Sequence, residues 1–246
     1  MQFSGRGILL DVEGTTSSIQ FVYEVMFPYA RDHLHAYLRE NWDNSDARKA
    51  CHVISVDAGY ADWDEFTSGC ATAERQRERL ADKVLQLMDE DRKTTGLKTL
   101  QGMIWKSGFE SGQMVAHVYE DVVPAIQRWN ELGLDVRIYS SGSIAAQKLF
   151  FGHTGQGDLL DQFRGHYDTT TGAKKESASY GSIAEDFGIS AADILFLSDV
   201  TDELAAAATA GMVTALCVRP GNPTCDVEHP YPELRSFADV ELVIAH

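Results

Sequence analysis

Four short polar clusters in this sequence carry the side chain types that phosphoryl transfer requires. They are DVEGT from Asp11, SSGS from Ser140, GAKKE around Lys174 and SDVTDE from Ser198. Such a site needs carboxylates that hold a cation and attack phosphorus, and hydroxyl, backbone N–H and ammonium groups that bind the phosphoryl oxygens. Any one cluster has an ordinary structural explanation, such as an aspartate that closes a strand. The four together predict a catalytic site.

The acidic residues indicate a metal-assisted phosphatase. Asp11 and Asp199 would repel each other on adjacent strands unless a divalent cation lies between them, and oxygen-only ligands favour Mg²⁺. The cation would keep Asp11 ionised and neutralise a phosphate, so that the carboxylate can attack phosphorus and form an aspartyl-phosphate. A protonated Glu13 could donate to the leaving alkoxide and then, as a carboxylate, activate the water that hydrolyses the intermediate.

The remaining polar residues would bind the substrate phosphate. Ser140 or Ser141, with backbone N–H groups of a turn that opens a helix, would hold the phosphoryl oxygens. Lys174 would supply positive charge, while at least one of Lys174 and Lys175 is expected to be a solvated surface residue. Two alternatives stay open for Glu203: a carboxylate favoured by the helix dipole, or a partner for metal-bound water.

The elements that must position these clusters alternate between strand and helix. An apolar strand at 7–10 ends at Asp11. The segment from Phe21 to about Gly112 has helical periodicity throughout, and predicts helices at 24–42, 47–57, 73–91 and 97–109. The later helices are predicted at 122–132, 144–151, 177–187 and 201–210, and the later strands at 135–139, 166–168, 194–197 and 213–218.

This order of elements predicts an α/β fold with a doubly wound parallel sheet as its core. We expect residues 1–17 and 113–246 to form the α/β catalytic core, and residues 18–112 to form a helical cap inserted after the first strand. Ligands of open parallel sheets bind at the carboxyl ends of the strands, beside the point where the strand order reverses. The four clusters follow predicted strands and would meet at that edge, with the cap over it.

Composition excludes several other classes of protein. The chain has 246 residues, 44% of them hydrophobic, which predicts a folded protein. Its net charge of −16 repels polyphosphate, so no nucleic-acid partner is expected. Apolar runs stay far below the roughly 18 residues of a membrane span, so we expect no membrane partner and a cytoplasmic location. The spacing of Cys51, Cys70, Cys217 and Cys225 lacks a CxxC pair and predicts reduced thiols.

The four clusters resemble the four motifs of the haloacid dehalogenase superfamily of aspartyl-phosphate phosphatases. Within that superfamily, the chain is similar to the enolase-phosphatase family of methionine salvage from about Ile8 to Asn222. The similar segments are ILLDVEGTTSSIQFVYEVMFPYA, DRKTTGLKTLQGMIW, DVVPAIQRWNELGLDV, IYSSGSIAAQKLFFGHT and ILFLSDVTDELAAA followed by VRPGN. Glu13, where most members of the superfamily have a second aspartate, makes the resemblance specific.

The resemblance implies conversion of 2,3-diketo-5-methylthiopentyl-1-phosphate to 1,2-dihydroxy-3-keto-5-methylthiopentene, by enolisation and then Mg²⁺-dependent phosphate removal. It implies that Asp11 is nucleophile and metal ligand, that Glu13 is general acid/base with its carbonyl oxygen on the metal, and that Asp199 is a metal ligand. It also implies one Mg²⁺ per chain and a cytoplasmic monomer. The residues implied to hold the substrate are Ser140, Ser141 and Lys174.

Other functions and two departures from the family pattern stay open at this stage. A different phosphomonoesterase or a phosphosugar mutase of the same superfamily is the nearest alternative. A phospho-receiver module also uses aspartates and a lysine on a doubly wound sheet, but needs no helical insertion. Lys175 stands where the family usually has a small or apolar residue. The stretch 44–72 matches poorly and is expected to hold a loop.

Overall fold

The strands of the described residues form two parallel sheets. The computed structural model describes residues 1–224 and 228–243. In chain order the strands are β1 (Gln2–Phe3), β2 (Gly7–Leu10), β3 (Asp135–Tyr139), β4 (Gly165–Tyr167), β5 (Ile194–Ser198), β6 (Val213–Cys217), β7 (Glu233–Leu234) and β8 (Glu241–Leu242). Strand β1 pairs with β8. The other six form one sheet in the order β4-β3-β2-β5-β6-β7.

The strand order reverses beside β2. From β2 the chain moves outward to β3 and β4, then returns to place β5, β6 and β7 on the other side of β2. In register, Leu10 of β2 lies opposite Ile138 of β3 and Leu197 of β5. The predicted doubly wound parallel sheet is therefore confirmed, and the carboxyl end of β2 lies at its switch point.

The central strands β2 and β5 are buried along their whole length because both faces of the sheet are covered. Ile8, Leu9 and Leu10 have no solvent exposure, and every residue of β5 is buried. Continuous apolar strands of this kind are typical of parallel sheets enclosed by helices. On one face, Tyr180 packs in the same core as Phe196 of β5.

The helices agree with the predicted pattern within a few residues at their ends. They are α1 (Phe27–Glu40), α2 (Ser45–Asp57), α3 (Trp63–Phe66), α4 (Ala73–Asp89), α5 (Thr95–Glu110), α6 (Val122–Glu131), α7 (Ile144–Phe151), α8 (Ser177–Phe187) and α9 (Thr201–Thr209). Gly188 ends α8 in the left-handed conformation, with φ of 67°. This is the conformation that glycine adopts without steric cost at a helix end.

One helical prediction was wrong in detail, and one short helix was missed. The helix predicted at 24–42 is a π-helix at Phe21–Met26 followed by α1. Pro28 has no N–H to donate within a helix, so it is tolerated only in the first turn of α1. The stretch 44–72 contains the predicted helix α2 and, as expected, loop segments at 58–62 and 67–72, but it also contains the short helix α3. Asp62 caps α3 by accepting a hydrogen bond from the Glu65 backbone N–H at 2.8 Å, a local signal that periodicity does not detect.

The chain divides into two compact units, Met1–Val22 with Val115–His246, and Tyr23–Met114. Within the second unit, α2 and α5 approach closely at Gly96, where a Cβ atom would lie 2.6 Å from the Ile54 backbone nitrogen. The indole N–H of Trp105 donates to the Met26 carbonyl oxygen at 2.7 Å. The second unit is helical throughout and has its own buried core.

The structure also bears on the predictions about membrane spans, cysteines and strands. No helix among them is long and apolar enough to cross a membrane. Cys51, Cys70 and Cys217 have free thiols, as predicted, and Cys225 lies outside the described residues. The strands β1, β7 and β8 were missed because two residues are too few to show a strand period.

Candidate active site

The predicted polar clusters lie at the carboxyl ends of neighbouring strands. Asp11 directly follows β2, and its backbone N–H donates to the Leu197 carbonyl oxygen at 3.0 Å. Ser140 follows β3, and Asp199 follows β5. Residues 11–18, which we call the catalytic loop, therefore begin at the end of β2, between β3 and β5. Lys174 comes from the segment between β4 and α8.

Lys174 is buried against the Asp11 carboxylate. Its Nζ atom lies 2.5 Å from Oδ1 of Asp11 and 2.6 Å from Oε2 of Glu203. Asp11 is 2% exposed and Lys174 is 8% exposed. Burial alone would lower the pKa of Lys174, but the charges of Asp11 and Glu203 outweigh burial and raise it. The lysine therefore stays charged beside the Asp11 carboxylate.

Ser198 and Glu203 surround this ion pair. The Ser198 Oγ lies 2.9 Å from Oε2 of Glu203 and 3.4 Å from Oδ2 of Asp11, and accepts a hydrogen bond from the Val200 backbone N–H. Burial and the charge of Asp11 raise the pKa of Glu203 to about 7. Neither alternative considered for Glu203 included its contact with Lys174, which orients the ammonium group towards Asp11.

Glu13, which also belongs to the catalytic loop, contacts the turn after β3. The Ser140 Oγ donates to Oε2 of Glu13 at 3.2 Å and accepts from the Gly142 backbone N–H at 3.1 Å. Loss of hydration and the charge of Asp11 raise the pKa of Glu13, against the opposing effect of Lys174. A carboxyl group with a raised pKa keeps a proton closer to neutral pH, as a general acid requires.

Asp199 adds a further carboxyl group to the site. Burial, followed by the charges of Asp11 and Glu203, raises the pKa of Asp199 to about 7. Four carboxyl groups, those of Asp11, Glu13, Asp199 and Glu203, thus influence one another beside the single ammonium group of Lys174. Such a set of oxygen donors fits a hard divalent cation such as Mg²⁺.

The donor set predicted for that cation combines two carboxylates with a backbone oxygen. Among residues 1–224 and 228–243, no group of three or more His, Cys, Asp or Glu side chains is arranged to hold a metal ion. A site built from the Asp11 and Asp199 carboxylates and the Glu13 carbonyl oxygen needs only two such side chains. Water supplies the other ligands that Mg²⁺ commonly keeps.

The turn after β6 holds the catalytic loop in place. Arg219 is 5% exposed, and its Nε donates to the Thr15 carbonyl oxygen at 3.0 Å. Its Nη1 donates to both carboxylate oxygens of Asp121 at 2.9 and 3.0 Å. The Asn222 Nδ2 donates to the Gly14 carbonyl oxygen at 2.9 Å. Arg219 and Asn222 were not predicted as site residues, although their turn directly follows the predicted strand at 213–218.

Ser141 and Lys175 are exposed, unlike the neighbouring residues Ser140 and Lys174. Ser141 is exposed in the turn that precedes α7, whereas Ser140 is buried. Lys175 is also exposed, and its Nζ contacts Oδ2 of Asp202 at 2.8 Å. The structure therefore places Lys174, and not Lys175, beside Asp11.

Comparisons with known proteins agree with this geometry. The model of the haloacid dehalogenase-like hydrolase family matches residues 6–211. Enolase-phosphatase E1 of Salmo salar is 42% identical over 246 residues, which cover 96% of this chain and 94% of the relative. Enolase-phosphatase E1 of Pseudomonas aeruginosa is 45% identical over 235 residues, which cover 96% of this chain and 97% of the relative.

A solved structure extends the similarity to three dimensions. The crystal structure of the UTR4 protein (unknown transcript 4 protein) of Saccharomyces cerevisiae aligns with a TM-score of 0.78 and 34% identity. The alignment covers 95% of this chain and 98% of the yeast chain. The similarity therefore includes both compact units of the chain.

Proposed function

The chain belongs to the haloacid dehalogenase-like hydrolases and, among them, to the enolase-phosphatases, and we propose that Asp11 and Glu13 carry out its phosphatase chemistry. The protein is a phosphatase that acts on a small phosphorylated substrate. Its reaction converts 2,3-diketo-5-methylthiopentyl-1-phosphate to 1,2-dihydroxy-3-keto-5-methylthiopentene and inorganic phosphate. The observation that carries the assignment of roles is the buried contact between Lys174 and Asp11, at 2.5 Å.

Asp11 is the nucleophile in this proposal. Its carboxylate attacks phosphorus, and the bond from phosphorus to the C1 oxygen of the enolised substrate breaks. Before the attack, the buried Lys174 ammonium lies against Oδ1 of Asp11 and positions the carboxylate. After transfer, the same ammonium lies next to the aspartyl-phosphate and stabilises the charge on its oxygens.

Glu13 moves the proton in both half-reactions of phosphate transfer. As a carboxylic acid it donates to the departing C1 oxygen, and as a carboxylate it then accepts a proton from the water that attacks the aspartyl-phosphate. Its raised pKa and its contact with Ser140 support this role. The buried Ser140 and the N–H groups of its turn hold the phosphoryl oxygens, with Ser141 at the exposed side of the same turn.

We propose that Asp11, Asp199 and the carbonyl oxygen of Glu13 hold one Mg²⁺. When bound, this cation supplies positive charge that offsets the carboxylates and the incoming phosphate. The excess of carboxyl groups over ammonium groups supports the proposal. The helical unit Tyr23–Met114 serves as the cap predicted for residues 18–112, since it is inserted between β2 and β3.

The test supplies purified protein with the diketopentyl phosphate under anaerobic conditions, with and without Mg²⁺. Inorganic phosphate and the ultraviolet absorbance of the conjugated enediol are followed together. We expect both signals to require Mg²⁺, and Asp11→Asn to abolish phosphate release. Phosphate release from simple esters without any enediol from this substrate would instead indicate another phosphomonoesterase of the superfamily.

A further inference from the structure

The orientation of the Asn222 side chain is fixed by two backbone carbonyl groups. Its Nδ2 donates to the carbonyl oxygen of Gly14 at 2.9 Å and to that of Cys217 at 3.2 Å. Only the NH₂ end of an amide can donate to two carbonyl oxygens. The Oδ1 atom of Asn222 therefore points away from both.

This Oδ1 atom is buried and lacks a donor within the described part of the chain. It is one of a few buried side-chain atoms that have no hydrogen-bond partner among residues 1–224 and 228–243. A buried amide oxygen without a donor is unfavourable, and native proteins satisfy such groups with a ligand or an ordered water. The Oδ1 atom of Asn222 therefore needs a hydrogen-bond donor that the described residues do not supply.

The unsatisfied oxygen and the Asp199 carboxylate both lie close to Gly14. A Cβ atom placed on Gly14 would lie 3.0 Å from Oδ1 of Asn222 and 2.3 Å from Oδ2 of Asp199. Two oxygen acceptors thus lie close together beside the catalytic loop. A cation with its water molecules satisfies both at once, because the cation binds the carboxylate and its water donates to the amide oxygen.

We propose that Asn222 is a further residue of the magnesium site, and that its Oδ1 accepts a hydrogen bond from a water ligand of the cation held by Asp11 and Asp199. This inference rests on the magnesium site of the proposed function. It assigns Asn222 two tasks: Nδ2 holds the Gly14 carbonyl oxygen, and Oδ1 contributes to cation affinity. Partners that contact a metal through its ligands typically change metal affinity by about 10- to 100-fold.

Two substitutions separate these tasks. Asn222→Ala removes both the donor and the acceptor, whereas Asn222→Asp keeps an oxygen acceptor and removes the Nδ2 donor. Tyr119→Phe is the matched control, because the Tyr119 hydroxyl donates to the Pro220 carbonyl oxygen of the same turn at 3.2 Å without contacting Gly14. The dissociation constant for Mg²⁺ is measured by titration calorimetry on the metal-free protein, so the readout is independent of turnover.

We expect Asn222→Ala to raise the dissociation constant about tenfold or more. Asn222→Asp and Tyr119→Phe should each keep at least about half of the native affinity for Mg²⁺. Thermal unfolding in EDTA checks that each variant is folded, and Asn222→Ser replaces Asn222→Ala if the alanine variant does not unfold cooperatively.

Two results would overturn the inference. One is Mg²⁺ binding by Asn222→Ala at the native affinity. The other is an Asn222→Asp variant weakened as much as Asn222→Ala, because the Nδ2 donor alone would then explain the effect. Native protein that binds no Mg²⁺ would overturn the magnesium site of the proposed function as well, so the two failures are distinguishable.

Discussion

The Nζ atom of Lys174 lies 2.5 Å from Oδ1 of Asp11, and both side chains are almost fully buried. Removing one partner of a buried ion pair leaves the other charge without compensation, which typically costs about 3–5 kcal/mol. Here the remaining charge would belong to the proposed nucleophile. The ion pair therefore contributes both to the stability of the core and to the chemistry proposed for Asp11.

Substitution of Lys174 should impair catalysis far more than substitution of its neighbour. Lys174→Met removes the positive charge next to Asp11, and we expect the kcat of phosphate release to fall about 100-fold or more. Lys175→Met is the matched control, since Lys175 is exposed and its Nζ contacts the exposed Asp202 carboxylate. Steady-state phosphate release at saturating Mg²⁺ measures both. Equal losses in the two variants would contradict the role of Lys174.

Substitution of Glu13 should separate the steps of the reaction. In Glu13→Gln the amide keeps an oxygen for the Ser140 contact but cannot transfer a proton, so phosphate release should fall about 10²- to 10⁴-fold. Glu120→Gln, at an exposed glutamate, is the control and should retain native activity. Exchange of the C1 proton with deuterated solvent is measured on the same samples. Exchange at the native rate in Glu13→Gln would show that another group is the base for enolisation.

The excess of carboxyl groups should make the metal-free protein less stable as pH rises. The pKa of Asp199 is raised from 3.8 to about 7 in the folded protein, so folding favours its protonated form. The resulting stability is complete below the unfolded pKa and is lost as pH rises through the folded pKa. In EDTA, we expect the native free energy of unfolding to fall between about pH 5 and pH 8 by roughly 2 kcal/mol more than that of Asp199→Asn. Chemical denaturation at both pH values measures the difference, and parallel curves would contradict the prediction.

The regular elements of the core were predictable because their signals are local. Strands β2 and β3 have the bounds that apolar runs predicted, and Gly188 ends α8 where a helix stop was expected. The π-helix at Phe21–Met26 was not predictable in the same way. Its residues have ordinary helical periodicity, and only the position of Pro28 indicates a change of hydrogen bonding.

The site residues that directly follow strands were predictable from their positions in the sequence. Asp11 and Asp199 could be placed at one edge because parallel strands end on the same side. The contact of Glu203 with Lys174 could not, because it depends on how two long side chains pack across the sheet edge. Arg219 reaches Thr15 across 204 positions of the chain, and no spacing in the sequence encodes that contact.

His166 should make the protein less stable in mild acid. Burial lowers its pKa from 6.5 to about 4, and its Nδ1 donates to Oε1 of Gln147 at 3.1 Å. A folded pKa below the unfolded one gives stability that is present above the unfolded pKa and is lost as pH falls towards the folded pKa. Between about pH 7 and pH 5, native protein should lose about 1 kcal/mol more than His166→Phe, a figure reduced for the partial exposure of the ring. His35→Phe, at an exposed histidine of α1, is the control and should follow the native curve. Identical pH dependence of native protein and His166→Phe would rule out this role.

Gly14 and Gly112 have almost the same backbone conformation. Substituting each by alanine therefore separates the effect of backbone strain from the effect of site geometry. Gly14 has φ of 72° and Gly112 has φ of 74°. A Cβ atom on Gly14 would lie 2.3 Å from Oδ2 of Asp199, whereas nothing lies within 4 Å of the corresponding position at Gly112.

Gly14→Ala and Gly112→Ala should each lose about 1–2 kcal/mol of stability, because both place a side chain in the left-handed region. Only Gly14→Ala should also displace the Asp199 carboxylate, and we expect it to weaken Mg²⁺ binding and phosphate release about tenfold or more. Thermal unfolding, Mg²⁺ titration and phosphate release are compared for the two variants. Equal loss of Mg²⁺ affinity in both would mean that backbone strain, and not the close approach of Gly14 to Asp199, controls the site.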